Sequence, residues 1–483
     1  MTDIEPFALT VLIVASALLL AVFANLVSKW TRVPTPALVL MASAAAAYFV
    51  PALGASPLEA NQRIVTVALV LILFDGGMHI GLLRLRTAGG AIAWIGVAGT
   101  AVTAAGLALV AHFLFGFDWS ASLLIGAALA PTDPAVVFSI LGKREISGRA
   151  GTILEGESGA NDPVGIALMV ALLAVTGTGW TAVGQGFGEF GLQLAVGAAI
   201  GIAGGFLLSA IMRRAPLPNE ALYSLRTLAV AGLIYAAATL LHGSGFLAVF
   251  IAGIMIGDLR APYKREVERF SAGMASLAEI IAFTVLGLSI RLEDVVRPDV
   301  LWTGLGLAAL LIFVIRPVLV GLLIVPIKLR LGERAFVLWA GLKGAVPILL
   351  GMFILSAHVP GAERIYAIIF IVVLVSVVLQ GGLVPYLATV LRVPMRIVEP
   401  RPWTLDLRFN EEPQGLERHI VAPGSPADGS TISELELGDD GWISMVRRSG
   451  RLLPVGPNTR LQAGDAVLTL VGGERDLAEL FEA

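Results

Sequence analysis

Apolar residues in this chain fall in blocks of about twenty, the length an α-helix needs to cross a hydrocarbon core of about 30 Å. Taken in order they predict thirteen spans, near 6–27, 35–53, 63–82, 89–115, 119–141, 151–175, 189–212, 220–241, 243–258, 270–290, 299–325, 334–356 and 364–390. Two of these blocks are interrupted at their centres. Ala130-Pro131-Thr132-Asp133-Pro134 sits inside the fifth, where two prolines remove backbone donors and crowd the preceding carbonyls. Gly341-Leu342-Lys343-Gly344-Ala345-Val346-Pro347 sits inside the twelfth. Freed backbone groups at membrane depth are tolerated only where they face protein or a water-filled cavity. The two breaks lie seven spans apart, which predicts two inverted repeats, spans 1–6 and 8–13, with a binding site where their interrupted helices meet. From about Glu399 the pattern changes to short alternating segments. Residues 418–422, 442–447, 451–455 and 466–471 read as strands, Ser449-Gly450 as a turn and 475–481 as a closing helix. The expected fold is therefore an all-α polytopic membrane domain, residues 1–395, with inverted repeats and two broken helices. A small α+β cytoplasmic domain, 396–483, follows it.

Composition narrows the class further. Hydrophobic residues make up 57% of the 483 and charged ones 14%, against about 25% charged in soluble domains, and the mean hydropathy is +0.86. The 54 glycines include many inside the apolar blocks, where small residues allow close helix packing. The absence of cysteine excludes disulfides, thiolate metal sites and cysteine nucleophiles. No basic n-region or small-residue cleavage site precedes Pro6–Val27, which reads as a retained span. Loop charge sets orientation. Sixteen Lys and Arg, from Lys29 and Arg32 through Arg84, Arg86, Lys143, Arg149, Arg213 and Arg260 to Arg334, fall on one side. Only Arg63, Arg291, Arg297 and Arg364 fall on the other. This places the N-terminus outside and the C-terminus in the cytoplasm. Over 399–483 acidic residues outnumber basic ones 15 to 8, and no glycine fingerprint follows a strand, so no dinucleotide cofactor is expected.

Charged and polar groups inside a bilayer are costly, about 2.5–3.5 kcal/mol for Asp, Lys or Arg at mid-helix, so each one needs a reason. Broken helices leave partial positive and negative ends near the midplane. Asp133 can neutralise the former and Lys343 the latter, a structural, charge-compensating role. The Thr132 hydroxyl and the freed carbonyls are neutral oxygen donors suited to a partly dehydrated alkali cation, although a threonine can equally satisfy helix carbonyls. The sixth span holds Glu155-Gly156-Glu157-Ser158-Gly159-Ala160-Asn161-Asp162-Pro163. Ser158 and Asp162 lie one turn apart on one face, and Glu157 and Asn161 on the next. One face thus offers a hydroxyl and a carboxylate to a cavity, while the neighbouring one is tied down by partners such as Lys343. Proton and cation compete for a single carboxylate, so Asp162 alone suffices for exchange. Glu157 reads as half of a structural ion pair. Asp75, in Phe74-Asp75-Gly76-Gly77, is a possible lining of a cytoplasmic funnel or a helix-end residue. Glu279 and Arg316 are expected to pair across helices, and His242 and His358 are placed at outer span ends.

At these residues the chain resembles the cation:proton antiporter-1 family, through TDP in the fifth span, GESGxNDP in the sixth and GLKGAVP in the twelfth. FDGG at 74–77 and VLVSVVLQG at 373–381 add to the likeness. It is most similar to the bacterial potassium/proton antiporter branch, whose tail resembles the C-terminal subdomain of potassium-conductance regulators (TrkA-C type). The resemblance implies a homodimer with a mobile core domain working by elevator-like alternating access in the bacterial inner membrane. It implies a cation site of Asp162, Ser158 and Thr132 with Asn161 beside it. Asn-Asp at 161–162 implies electroneutral exchange of one cation, K⁺ foremost and Na⁺ next, for one H⁺. It departs from the family at Lys343, where Arg is common and forms a bidentate fork that Lys lacks.

Rival classes fit less well. A tail-gated cation channel would need a repeated pore loop or a ring-forming short subunit. An enzyme would need a motif such as HExxH or GxSxG, neither of which is present. A Na⁺(Li⁺)/H⁺ antiporter remains the nearest alternative. The expected partners are membrane lipid and a second copy, not nucleic acid. No resident cofactor is expected beyond the transported ions, with a nucleotide or other regulatory ligand open for the tail.

Overall fold

A computed structural model of the chain describes residues 19, 23, 24, 27, 28, 33–133, 135–141, 144–175, 179–397, 416–435, 437, 441–448, 451–471 and 477–482. The predicted first span, 6–27, lies almost wholly outside these residues, as do Lys29, Arg32, Lys143, Pro134 and the Ser449-Gly450 turn.

The chain divides into two units, the second built on Thr404–Ala483. In the first, the helices are α1 (Thr35–Phe49), α2 (Leu58–Ala93), α3 (Thr100–Phe115), α4 (Trp119–Leu129), α5 (Ala135–Leu141), α6 (Arg149–Ala174), α7 (Gly179–Arg214), α8 (Glu220–Leu240), α9 (Gly245–Gly257), α10 (Lys264–Leu288), α11 (Pro298–Leu310), α12 (Leu331–Trp339), α13 (Ala345–Ser356), α14 (Ala362–Val375) and α15 (Gly382–Val390). Among the described residues seven helices are long and apolar enough to cross a membrane. The shorter apolar helices Thr35–Phe49, Trp119–Leu129, Gly245–Gly257 and Ala345–Ser356 accompany them. Local chemistry starts several of these: Asp118 Oδ2 accepts from Ala121 N at 3.1 Å and Ser244 Oγ from Leu247 N at 3.3 Å, satisfying amides a helix start leaves open. Phe113, Phe187, Phe206, Leu233 and Leu322 are exposed while Phe283, Phe336 and Phe370 are fully buried. That distribution suits a bundle whose outer face meets hydrocarbon.

Both apolar blocks between residues 58 and 115 are helical. The predicted spans 63–82 and 89–115 correspond to two apolar helical stretches, Leu58–Arg86 and Ala88–Phe115, each long enough to cross a membrane; within α2 two helices meet at a kink at Gly81, and a π-helical segment over Trp94–Gly99 leads into α3. The only irregularity inside α2 is Gly81, at φ 64° and ψ 169°, a conformation glycine adopts without a Cβ penalty. Asp258, just past α9, accepts from Leu83 N at 2.7 Å and so caps the resumed helix. The FDGG glycines have a packing reason as well. A Cβ on Gly77 would strike Phe250 O and Gly253, so α2 and α9 cross at backbone distance.

Further π-helical segments occupy Leu311–Val320, with Pro317 inside, and Ser376–Gly381. The interrupted blocks are interrupted in the structure too: α4 stops at Leu129 and α5 begins at Ala135, while α12 stops at Trp339 and α13 begins at Ala345. A two-stranded ribbon pairs β1 (Arg144–Ile146) with β2 (Met395–Ile397).

The second unit is a four-stranded antiparallel sheet of β3 (Leu416–Ile420), β4 (Gly441–Arg448), β5 (Arg451–Leu453) and β6 (Ala466–Val471), ordered β3-β6-β4-β5. A short helix, α16 (Ala478–Phe481), closes it. Val421, Ile443, Val446, Leu461, Val467 and Phe481 form its core. The first strand begins two residues earlier than its apolar pattern predicts. Leu416–Ile420 pairs in register with β6, and Val421 then leaves the ladder to fill the core. Arg448 donates to both oxygens of buried Asp465 at 2.8 and 2.7 Å, which holds the guanidinium above its ordinary pKa.

Candidate functional site

The two interruptions meet. Asp133 N donates to Leu342 O at 2.7 Å. Lys343 Nζ donates to Ala130 O and Pro131 O, each at 2.9 Å, so the buried ammonium sits on the carbonyls that the end of α4 leaves open. Asp133 packs where a Cβ on Gly344, the N-cap of α13, would stand. A carboxylate is therefore held at the start of α13, where the dipole favours it. Gly344 is required by this approach rather than by its backbone angles, since its φ is −110°.

Beside this crossing, α6 runs through Pro163 without a break. Asn161 binds Thr132 at both ends of its amide: Oδ1 accepts from Thr132 N at 3.2 Å and Nδ2 donates to Thr132 Oγ1 at 2.7 Å. Thr132 Oγ1 is also 3.1 Å from Ser158 Oγ. All three residues are buried. The structure thus gathers Thr132, Ser158 and Asn161 into one hydrogen-bonded cluster. Asp162, one turn from Ser158, is outside that network: its Oδ1 is buried and has no hydrogen-bond partner. The charges acting on it are Asp133 and Lys343.

Glu157 faces elsewhere. Arg316 Nη2 donates to Glu157 Oε1 at 2.8 Å, with both side chains 4% exposed. Arg316 also donates to Leu338 O at 2.8 Å and to Val337 O at 3.3 Å. Two sequence expectations are corrected here. The hydrogen-bond partner of Glu157 is Arg316 and not Lys343, and Arg316 does not pair with Glu279. The physical reason is position. The π-helical segment around Pro317 aims Arg316 at the end of α12, where open carbonyls need a donor, while Lys343 lies across the break from α4 and has carbonyls of its own to satisfy. Glu279 Oε1 is buried without a hydrogen-bond partner.

Sequence reasoning missed the support behind Lys343. Lys343 N donates to Ser376 Oγ at 3.0 Å, and Ser376 Oγ donates to Gln380 Oε1 at 2.5 Å. Gln380 Nε2 donates to Trp339 O at 3.0 Å and Trp339 Nε1 to Gln380 O at 3.1 Å. The available signal was a serine and a glutamine four residues apart in an apolar block, within the 373–381 stretch. Asp75 is not drawn into the cluster. It lies six residues before the Gly81 kink of α2, 3.3 Å from His79 Nδ1, and its Oδ1 is buried without a hydrogen-bond partner. His242 and His358 take left-handed backbone conformations, φ 58° and 53°, just past the ends of α8 and α13. Among the described residues no group of three or more His, Cys, Asp or Glu is placed to hold a metal ion.

Residues 15–390 match the transmembrane sodium/hydrogen exchanger family and residues 416–483 the TrkA-C domain. The chain belongs to the sodium/hydrogen exchanger family. Members of this family are transporters rather than enzymes, and this exchanger is a multi-pass membrane protein carrying a small sheet domain at its C-terminus. Its relatives include a K(+)/H(+) antiporter NhaP2 of Shewanella baltica, 33% identical, with 86% of this chain and 72% of the relative covered. A K(+)/H(+) antiporter NhaP of Alkalimonas amylolytica is 34% identical, with 96% and 82% covered. Among solved structures, the sodium proton antiporter MjNhaP1 of Methanocaldococcus jannaschii at pH 8 superposes with a TM-score of 0.66. It is 21% identical, with 78% of this exchanger and 99% of that chain covered, and supports the shared fold.

Proposed function

We propose that this exchanger moves a monovalent cation, K⁺ foremost, against H⁺, with Asp162 as the one group that carries either. The observation that carries the reading is the buried, unpartnered Oδ1 of Asp162 one turn from the Thr132–Ser158–Asn161 cluster. An unpaired buried carboxylate is costly, and either a proton or a cation relieves that cost. Thr132 and Ser158 supply hydroxyl oxygens for the cation. Asn161, neutral and spent on Thr132, holds the interrupted segment in place. With Glu157 neutralised by Arg316 and Lys343 seated on carbonyls, Asp162 is the carboxylate beside the Thr132–Ser158–Asn161 cluster left to turn over, so exchange is one for one and electroneutral. The two relatives named as K(+)/H(+) antiporters favour K⁺; Na⁺ is the second reading, favoured by the family's own description.

Transport in this reading is elevator-like alternating access in a homodimer. The membrane part, 1–395, works in the bacterial inner membrane with its N-terminus outside, and the cytoplasmic part, 396–483, gates the rate on binding a nucleotide or another small ligand. The carrier assignment is tested by proton flux in proteoliposomes as K⁺, Na⁺ and Li⁺ are added in turn to wild type and Asp162→Asn. Cation-driven flux abolished in the variant supports the reading and ranks the ions. Flux that survives in Asp162→Asn would move the carrier to another carboxylate, Asp133 first.

A further inference from the structure

Between Arg269 and the end of α10 the chain carries a single charged residue, Glu279. It stands one turn before Ala282 and Phe283 and two turns before Leu286, all of them buried, so it lies on the inward face of the helix. Its Oε1 is buried and has no hydrogen-bond partner. An ionisable side chain at this depth lowers stability unless function uses it, and neither Arg316 nor Lys343 answers this one.

Helices α1, α2, α8 and α13 pack against α10. Titratable side chains on them are engaged elsewhere or sparse. Helix α1 brings Tyr48 and α13 none. On α2, Glu59 pairs with Arg63, Asp75 lies beside His79, and Arg84 pairs with Glu155, with Arg86 two residues on. On α8, Arg226 donates to Ala215 O and lies over the Tyr223 ring, and Glu220 and Tyr235 complete the set. The apolar block 6–27 adds no acidic or basic side chain. Among the described residues the charge that acts on Glu279 is Asp133, which acts on Asp162 as well. Two carboxylates on separate helices, α6 and α10, thus share the field of a third at the crossing of the broken helices. Lys343 acts on Asp162 but is not among the charges acting on Glu279.

We propose that Glu279 is a positioning charge for exchange: ionised, it strengthens the hold of Asp162 on its cation, and a proton or cation arriving on Glu279 relaxes that hold. The inference rests on Asp162 as the carrier. Its signature follows from competition. A negative charge near a carboxylate strengthens binding of metal cation and proton alike, because in a low-dielectric interior charges several ångströms apart still interact strongly. In alkali the metal cation binds without a rival, so removing Glu279's charge weakens its binding by the full factor. In acid the proton competes for Asp162, both ligands are weakened alike, and the factor cancels.

The test measures K⁺-driven proton flux in proteoliposomes of the full chain from pH 6 to 9, for wild type, Glu279→Gln, Glu279→Asp and Asp162→Asn. In Glu279→Gln, which keeps the shape and removes the charge, the half-saturating K⁺ concentration should rise about fivefold at pH 9 and converge on wild type at pH 6. Glu279→Asp, which keeps the charge, should stay within about twofold of wild type throughout. Thermal unfolding in detergent should show Glu279→Gln no less stable than wild type, since an unpaired buried charge has been removed. A Glu279→Gln half-saturation equal to wild type at every pH overturns the proposal. So does one raised by the same factor at every pH, or a Glu279→Asp profile identical to that of Glu279→Gln, since each would mean that shape rather than charge matters. Flux that survives in Asp162→Asn removes the carrier on which the proposal rests, whereas flux lost there with an unchanged Glu279→Gln profile removes Glu279 alone.

Discussion

Glu157 and Arg316 are almost fully buried and 159 residues apart in sequence, and in their pairing one buried charge is answered by another. Removing one partner of such a pair leaves an uncompensated charge, at about 3–5 kcal/mol, whereas removing both costs far less. Arg316→Met should therefore lower the unfolding temperature in detergent markedly, and adding Glu157→Gln should restore most of it. Equal destabilisation in the single and double variants would mean that Arg316 matters for the Val337 and Leu338 carbonyls rather than for Glu157. Asp162 has no such fixed partner at Oδ1, and under the proposed function its partners are mobile ions. If proton and cation share it, acidification should raise the half-saturating cation concentration, by up to about tenfold per pH unit where the proton wins. A half-saturating concentration flat with pH, measured by cation-driven proton flux from pH 6 to 9, would point to separate sites.

At the scale of elements, the breaks at 130–134 and 340–344 work as a pair: each supplies the charge or the backbone group that the other lacks. Lys343 occupies carbonyls at the end of α4, and Asp133 packs on Gly344 at the start of α13. Gly344→Ala places a methyl group where the Asp133 side chain stands. Misplacement on the ångström scale at a reacting centre costs on the order of a hundredfold, so flux should fall by at least tenfold while the protein still purifies as folded. Wild-type flux in Gly344→Ala would mean that the crossing tolerates displacement and that Asp133 is not positioned by it. The interruptions were legible because proline and glycine state their consequences locally. The π-helical segments at 311–320 and 376–381 were not. A π turn depends on which side chain needs re-aiming, and that is set by a neighbour, here the carbonyls of Val337, Leu338 and Trp339.

For the whole molecule, the sheet domain has a core of its own, Val421 to Phe481, and an Arg448–Asp465 fork that ties β4 to the loop before β6. A unit with a separate core can gate transport without performing it. Ending the chain near Arg401 should leave cation-driven proton flux in place but unresponsive to cytoplasmic ligands such as nucleotides. Complete loss of flux in a truncated protein that still inserts and purifies would mean that the tail is part of the transport cycle.

By itself the sequence determined the class of this protein, because the number, length and polarity of apolar blocks are set against the bilayer and need no partner to be read. It also singled out the carboxylate proposed as carrier. Asp162 beside Pro163, one turn from Ser158, is a local statement about a helix face. Only the tertiary structure decided which charge answers which. Glu157 meets Arg316, Lys343 meets the carbonyls of Ala130 and Pro131, and Asn161 spends both ends of its amide on Thr132. Those choices rest on distances between residues far apart in the chain, and hydropathy and helical periodicity carry no information about such distances.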